Sequence, residues 1–280
     1  MPVAALPDLM IEPVVRAALL EDLGRAGDIT SQAVIPTQAR FNAVFRAREA
    51  GIVAGIDCAR LAMTLMGARF ETILPDGSVI TPGDLIARVE GPAAAVLAGE
   101  RVALNFLCHL SGVASQTAKY VAAIAGTGAR IAEIRKTIPG LRGLQKHAVK
   151  CGGGMNHRFG LDDAILIKDN HIAVCGGVGQ ALERARAAAG HLVKIEVEVD
   201  SLGQLHEALP YHPDVVLLDN FTLDDLRQAV ALAKGKTVLE ASGGVNMTTV
   251  RAIAETGVDV ISIGALTHSA PNFDIGLDAE

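Results

Sequence analysis

A run of basic residues between positions 134 and 161 is the feature of this sequence most suited to chemistry. It contains Arg135, Lys136, Arg142, Lys146, Lys150 and Arg158, together with His147 and His157. No Asp or Glu lies between Glu133 and Asp162, although the whole chain carries a formal net charge of -6. Cations without carboxylates beside them are available to an external anion, so the run predicts a site for a small anionic ligand.

A series of short β-rich segments must position such a site. They read ARIAEI, AILIK, VKIEVEV, DVVLLD, TVLEAS and DVISIG. Longer amphipathic segments, such as VGQALERARAAAG and LDDLRQAVALAK, lie between them from about residue 129 onward. Strands that alternate with helices predict βαβ units and a parallel sheet, and this number of units favours a barrel-like α/β domain.

The carboxyl ends of these segments carry the candidate site residues, because active sites of parallel α/β barrels lie at that face. The candidates are Arg135, Lys136, Lys168, Glu198, Asp219, Ser242, Gly243, Gly244, Gly264 and His268. Glu198 and Asp219 are expected on neighbouring strands and predict a Mg²⁺ ion bridged to phosphates. The glycine-rich ends predict a backbone cradle for a phosphate group. Lys168 has two interpretations, an electrostatic anion contact or a Schiff-base lysine.

The alternation within VKIEVEV predicts which side chains enter the barrel. One face carries Val193, Ile195, Val197 and Val199, and the other carries Lys194, Glu196 and Glu198. The apolar face is expected to meet the surrounding helices. The charged face then points into the barrel, where charge is costly unless it is paired, hydrated or bound to a metal.

The first third of the chain has mixed element types and predicts a separate domain. PDLMIEPVVRAALLEDLG predicts a helix that ends at Gly24, and ILPDGSVITPGDLIARVEG predicts a hairpin-like sheet. A further helix is expected to begin near Pro92 and to carry Arg101 and His109.

Composition argues against several classes of function. Trp is absent and aromatic residues make up 3%, so stacking surfaces for single-stranded nucleic acid are hard to build, and the acidic balance argues against general nucleic-acid binding. Cys58, Cys108, Cys151 and Cys175 form no CxxC pair and no zinc-finger type cluster, which favours reduced thiols. The N-terminus lacks signal-peptide features and no apolar run reaches ~20 residues, so a cytoplasmic protein without a membrane span is expected.

The segment RKTIPGLRGLQKHAVKCGGGMNHRFGLDDAILIKDNH resembles the signature region of the quinolinate phosphoribosyltransferase family, also called nicotinate-nucleotide pyrophosphorylases (carboxylating). The resemblance continues through EDLGRAGDITS, GERVALNFLCHLSGVAS, IEVEVDSL, LLDNF, LEASGGV and ETGVDVISIGALTHSAP and covers essentially the whole chain. It implies an α/β fold with an N-terminal α/β sandwich over residues 1–112, onto which 269–280 pack back. An incomplete, open TIM-like α/β barrel over residues 113–268 should follow.

The resemblance also implies an activity. Quinolinate and phosphoribosyl pyrophosphate should give nicotinate mononucleotide, pyrophosphate and CO₂ with Mg²⁺, in de novo NAD biosynthesis. The enzyme should be a homodimer or a multiple of dimers, such as a hexamer. It should use Lys136, Lys168, Glu198 and Asp219 in catalysis.

Binding roles are implied for individual residues. The expected quinolinate contacts are Ile134, Arg135, Lys136, His157, Arg158 and Lys168, with Arg101 from the partner subunit. Glu198 and Asp219 should hold the ribose hydroxyls and Mg²⁺. The 5′-phosphate should meet Ser242, Gly243, Gly244, Ser262, Gly264 and His268. The family commonly has Asp-Thr where this chain has Glu133-Ile134, and loss of that hydroxyl would remove a hydrogen bond worth ~0.5–1.5 kcal/mol.

Three alternatives stay open. A paralogue of the same fold with another substrate, of the molybdenum-transport-associated type, would share much of this pattern. A phosphate-binding aldolase would use Lys168 as a Schiff base. A sensor that binds phosphate without turnover is the third. The role of Arg142, Lys146 and Lys150 is also left open.

Overall fold

The computed structural model describes residues 3–280, which form two compact units. The first unit comprises the residues up to 118, residues 137–153 and residues 266–280; the second comprises 119–136 and 154–265. The sequence boundary near residue 112 assigned 137–153 to the barrel, whereas the structure groups this segment with the first unit. Its helix buries Leu144, Ala148 and Val149 on one face.

The first unit is built on an antiparallel sheet with the strand order β12-β1-β5-β3. A second pair, β2 with β4, is separate. The strands are β1 (Arg40–Ala47), β2 (Gly51–Ile52), β3 (Arg69–Thr72), β4 (Val79–Ile80), β5 (Leu85–Pro92) and β12 (Ile275–Ala279). The last strand of the chain therefore pairs with the first, with Phe45 opposite Leu277.

The predicted hairpin in residues 73–91 is wrong in its pairing. Strand β4 pairs with β2, and β5 pairs with β1 and β3, so the two predicted runs lie in different sheets. The turn between them carries the chain from one sheet to the other. Within this turn, the Asp84 amide donates to the Thr81 carbonyl at 3.1 Å, and the Thr81 amide donates to Asp84 Oδ2 at 2.7 Å.

Six helices belong wholly or largely to the first unit. They are α1 (Asp8–Leu23), α2 (Ile29–Val34), α3 (Ile56–Leu65), α4 (Ala93–Ala123), α5 (Arg142–Cys151) and α11 (Ala265–His268). Helix α1 buries Ile11, Val15 and Leu19 at a spacing of four residues, and it ends at Gly24, whose φ of +55° suits glycine. The predicted stop of α1 and the predicted start of α4 are confirmed.

Helix α4 is long and apolar enough to cross a membrane by length and composition alone. Half of its apolar window is buried inside the protein, as is common for a core helix. Within residues 3–280 it is the one helix with these properties.

The second unit is built on a six-stranded sheet in which every pairing is parallel, with the order β6-β11-β10-β9-β8-β7. The strands are β6 (Arg130–Ala132), β7 (Ile165–Ile167), β8 (Ile195–Val199), β9 (Val215–Asp219), β10 (Val238–Ser242) and β11 (Val260–Ser262). All six predicted β-rich segments are present. The sheet is open because β6 and β7 are its edge strands, which confirms the predicted fold class.

Helices connect successive strands of this sheet. They are α6 (Asp169–Cys175), α7 (Val178–Ala188), α8 (Leu202–Ala208), α9 (Leu223–Ala233) and α10 (Val250–Ala254), with a 3₁₀ turn at Leu209–Tyr211. Two begin at capping hydroxyls: Ser201 accepts the Gln204 amide hydrogen, and Thr222 accepts that of Asp225. Each helical crossover returns the chain to the same end of the sheet, so that the next strand runs parallel to the one before.

The alternation along β8 has the predicted faces, with one correction. Ile195, Val197 and Val199 are buried on one face, and Glu196 lies on the other. Lys194 precedes the strand, and its Nζ lies 2.6 Å from Asp214 Oδ1 with the side chain exposed. The prediction that Lys194 enters the barrel is therefore wrong, because the strand begins one residue later.

Three buried glutamates surround one imidazole within the second unit. His157 Nε2 lies 3.1 Å from Glu196 Oε2 and 3.6 Å from Glu240 Oε1, and the His157 amide donates to Glu133 Oε1 at 3.0 Å. The pKa of Glu240 is raised to about 7, mainly by burial and also by the charges of Glu196 and Glu133, against the opposing effects of His157 and Ser262. Glu240 therefore keeps a proton at a pH where an ordinary glutamate has lost it.

Replacement of Gly112 by Ala should destabilise the chain. A Cβ at Gly112, in α4, would lie 2.0 Å from the Pro271 carbonyl oxygen, and backbone cannot move aside cheaply. We expect a loss of about 1–3 kcal/mol in the free energy of unfolding, measured by urea titration. Gly143→Ala, in α5, is the matched control because its Cβ would meet nothing closer than Met10 Cε at 4.0 Å. Equal effects of the two substitutions would contradict the steric explanation.

Glu240→Gln should change how stability depends on pH. The pKa of Glu240 is raised from 4.5 to about 7 on folding, so this carboxyl stabilises the fold fully below pH 4.5 and loses that contribution as pH rises towards 7. Glutamine cannot ionise. Between pH 5 and pH 8 the variant should gain on the order of 2–3 kcal/mol relative to the unsubstituted chain.

The measurement is urea unfolding at both pH values. Glu183→Gln, at an exposed position on α7, serves as the control and should follow the unsubstituted chain at both. A constant difference between the Glu240→Gln variant and the unsubstituted chain across this range would refute the retained proton.

Candidate functional site

A cavity of about 390 Å³ lies at the carboxyl ends of the parallel strands of the second unit. Its lining is formed by Ile134, Arg135, Lys136, His157, Arg158, Leu166, Lys168, Glu198, Leu217, Asp219 and Ser242. Six of these are the predicted quinolinate contacts of this unit, and they come from three separate stretches of chain. Leu166 and Leu217 were not predicted as site residues, because apolar residues inside strands carry no signal that separates them from the core.

Two arginines give the cavity its capacity to bind anions. The Nε atoms of Arg135 and Arg158 are buried and have no hydrogen-bond partner among residues 3–280. Arg158 Nη1 donates to the Ala164 carbonyl at 3.0 Å, which fixes the guanidinium plane. Burial lowers the pKa of Arg158, and the charge of Arg135 lowers it further. Two guanidinium groups that repel each other and keep unused donors favour an anion between them.

His157 links the buried glutamates to the arginine pair. Its Nδ1 accepts the Arg158 amide hydrogen at 2.8 Å, while Nε2 faces Glu196. Burial opposes protonation of the ring, but Glu196 and Glu240 outweigh this and raise the pKa of His157. Both ring nitrogens thus contact protein groups, and the imidazole fixes the backbone of Arg158 at the cavity wall.

Lys168 and the two predicted metal-binding carboxylates lie on the same cavity. Lys168 Nζ is 2.7 Å from Glu198 Oε2, and the Lys168 side chain remains 48% exposed. Asp219 ends β9, next to β8, and its Oδ2 accepts from Asn220 Nδ2 at 2.9 Å. Two carboxylates on adjacent strands fit a Mg²⁺ ion, which binds one or two protein carboxylates and completes its shell with water and substrate phosphates.

The Ser-Gly-Gly segment after β10 has a conformation that requires glycine. Gly243 and Gly244 have φ values of +91° and +62°. A Cβ at Gly243 would lie 2.1 Å from Asn220 Oδ1. Both glycines are exposed, so their backbone amides are accessible beside Ser242, and successive amides in such a turn form an anion-binding concavity.

The remaining predicted phosphate contacts are placed differently. Ser262 is only 2% exposed, and its hydroxyl lowers the pKa of the buried Glu240 carboxyl. Ser262 therefore lies below the strand ends. Gly264 is half-buried just after β11. His268 belongs to the first unit, is exposed, and has Nδ1 2.6 Å from Ser269 Oγ.

Several basic residues of the predicted site belong to the first unit. Arg101 is exposed on α4. Along α5, Arg142 Nε donates to Thr137 Oγ1 at 3.1 Å, Lys146 is only 2% exposed, and Lys150 is exposed. These three lysine and arginine side chains therefore have unlike environments, and α5 does not present them together as one solvated basic face.

Comparisons with known proteins agree with the resemblance seen in the sequence. The family description "Quinolinate phosphoribosyl transferase, N-terminal domain" matches residues 28–111, and the corresponding C-terminal domain matches residues 113–278. A "Nicotinate-nucleotide pyrophosphorylase [carboxylating]" from Mycobacterium leprae is 44% identical over 271 residues, which covers 94% of this chain and 95% of the relative.

Other organisms contain similar proteins. "Quinolinate phosphoribosyltransferase [decarboxylating] 1b" from Nicotiana tabacum is 39% identical over 97% of this chain and 83% of its own length. A solved nicotinate-nucleotide pyrophosphorylase structure from Francisella tularensis superposes with a TM-score of 0.95 at 37% identity, covering 100% of this chain and 99% of the other. Both domains, their order and their folds agree along the full length, and the chain belongs to the quinolinate phosphoribosyltransferase family.

Proposed function

We propose that the chain transfers the phosphoribosyl group of phosphoribosyl pyrophosphate to quinolinate, with loss of CO₂, to give nicotinate mononucleotide and pyrophosphate. The observation that carries this proposal is the strand-end cavity, in which unpartnered donors of Arg135 and Arg158 lie with Lys136, Lys168 and two carboxylates. Family membership supplies the substrates, and the charges of the cavity suit a dicarboxylate beside a polyphosphate.

Quinolinate would be held through its two carboxylates. Arg135 and Arg158 can each offer parallel N–H donors to a carboxylate, a geometry that lysine cannot reproduce. Ile134 is half-buried on the cavity wall and offers only a backbone amide. The arginines would therefore provide most of the affinity for quinolinate. The pyridine nitrogen is then free to face the ribose.

The reaction needs positioning and electrostatic stabilisation more than covalent help. The ring nitrogen attacks ribose C1 while the bond to pyrophosphate breaks, through an oxocarbenium-like state. The positive charge of the alkylated nitrogen then stabilises the electron pair that remains on C2 when the 2-carboxylate departs as CO₂, and this pair takes up a proton. Glu198 and Asp219 would hold the ribose hydroxyls, and the amides of Gly243 and Gly244 would hold the 5′-phosphate.

Mg²⁺ bound through Glu198 and Asp219 would neutralise charge on the pyrophosphate group. Lys136 and Lys168 would add positive charge on the same side. Lys168 already forms an ion pair with Glu198, so it can exchange that carboxylate for a substrate oxygen without being left uncompensated.

The same ion pair argues against a Schiff-base aldolase. A Schiff-base lysine must be free to attack a carbonyl carbon, whereas Lys168 Nζ is held by Glu198 Oε2 at 2.7 Å. Treatment with borohydride and a carbonyl substrate should therefore trap no adduct. A paralogue with another substrate would fail to turn over quinolinate, and a phosphate sensor would show no turnover at all.

The proposal extends to assembly and location. A homodimer, or a hexamer built from dimers, would allow the exposed Arg101 of one subunit to reach quinolinate in the cavity of the other. The substrates and the free thiols of Cys58, Cys108, Cys151 and Cys175 suit the cytoplasm.

Purified protein should form nicotinate mononucleotide from quinolinate and phosphoribosyl pyrophosphate in the presence of Mg²⁺. Lys168→Ala should lower kcat/KM by ~10²-fold or more, because it removes a charge beside the leaving group. Lys194→Ala is the matched control, since its ion pair with Asp214 has the same chemistry but lies at the opposite end of β8, and its rate should be unchanged. Absence of product from quinolinate, or equal turnover of nicotinate, would contradict the proposed function.

Mixed dimers test whether the site is shared. Arg101→Ala and Lys168→Ala subunits should each be inactive alone, but a mixed dimer contains one cavity with both residues intact. Mixing should restore up to about a quarter of the activity if subunits exchange at random and each cavity needs Arg101 from its neighbour. No recovery, with mixed dimers demonstrated by mass spectrometry, would show that Arg101 does not act across the interface.

A further inference from the structure

A cluster of three potential ligands lies in the first unit and takes no part in the proposed reaction. Asp76 comes from the turn before β4, while His147 and Cys151 lie one helical turn apart on α5. One ligand atom from each lies within 4.8 Å of the other two. The side chains of Asp76 and His147 are 11% and 9% exposed, and Cys151 is 8% exposed.

No motif or spacing in the sequence connects these residues. Cys151 has no second cysteine at metal-binding spacing, and Asp76 is 71 residues away from His147 along the chain. The fold brings them together because His147 and Cys151, four residues apart, share one face of α5, and that face meets the Asp76 turn.

The cluster has the donor chemistry of a zinc site. An imidazole nitrogen, a thiolate and a carboxylate oxygen are the ligands that Zn²⁺ takes in proteins. The second oxygen of Asp76 is already oriented, since Oδ1 accepts the Ile56 amide hydrogen at 2.9 Å. An outer hydrogen bond of this kind holds a ligating carboxylate in place.

Charge also favours a dication at this position. Coordination requires Cys151 as the thiolate and His147 Nε2 without a hydrogen, so the thiol proton is released to solvent. The resulting charges, +2 from the ion and -1 each from thiolate and carboxylate, sum to zero. A neutral complex avoids the cost of an isolated buried charge.

We propose that Asp76, His147 and Cys151 bind a Zn²⁺ ion, with water as the fourth ligand, at a buried site that joins α5 to the turn before β4. His147 Nε2 and Asp76 Oδ2 are hydrogen-bonded at 2.8 Å. Ligand atoms around a tetrahedral zinc lie about 3.3–3.8 Å apart, so these two atoms separate by about 0.5 Å and Cys151 Sγ approaches on coordination.

Cobalt(II) is the probe, because a Co²⁺–thiolate bond gives a charge-transfer band in the near ultraviolet. Chelator-treated full-length protein should bind one Co²⁺ per chain with this band, and Zn²⁺ should displace it. Cys151→Ser should abolish the band, and His147→Gln should weaken Co²⁺ binding by ~10²-fold. Circular dichroism of each variant establishes that it is folded.

Cys175→Ser is the matched control, since Cys175 is a more exposed thiol of the second unit that could bind metal adventitiously. It should keep the band, as should Glu198→Gln, which alters the proposed Mg²⁺ site. Saturating Zn²⁺ should raise the thermal midpoint of the unsubstituted chain by about 5 °C and leave that of Cys151→Ser unchanged. Failure of the unsubstituted chain to give the band, or its loss in Cys175→Ser, would leave only a hydrogen-bonded His–Asp pair and overturn the proposal.

Discussion

Parallel pairing of six strands is the constraint on which the site depends. Because β6 to β11 all run in the same direction, their carboxyl ends meet at one edge, and residues far apart in sequence become neighbours there. Arg135, Lys168, Glu198 and Asp219 each lie within three residues of the carboxyl end of a strand. A reversal of any one strand would remove its charged end from the cavity, so the topology and the chemistry cannot be separated.

Charge below the cavity is as important as charge inside it. The three glutamates around His157 would place a large negative charge under a site that must attract anions, if all of them were ionised. The raised pKa of Glu240 reduces that charge, and the remaining carboxylates act on a single imidazole. The arginines above are therefore only partly neutralised; burial lowers the pKa of Arg158, and the charge of Arg135 lowers it further.

The sequence was informative where a pattern had a single physical meaning. Six apolar segments with charged ends predicted the parallel sheet and its cavity residues, because β-strands and strand ends obey local rules. It was misleading where tertiary contacts decide. The Thr81–Asp84 turn could close a hairpin but instead joins two sheets, and Lys194 follows the alternation of β8 without belonging to it. The grouping of α5 with the first unit, and its meeting with Asp76, follow from long-range packing that no local pattern records.

The pairing of β1 with β12 determines when this protein can finish folding during synthesis. Residues 43–47 pair with residues 275–279, so the first sheet lacks its edge strand β12 until residue 279 has left the ribosome. The second unit, by contrast, has all of its strands by residue 262. A nascent chain would thus complete the sheet of the second unit before that of the first. The unfinished N-terminal sheet would depend on chaperones or on the speed of synthesis to avoid pairing with a strand of another chain.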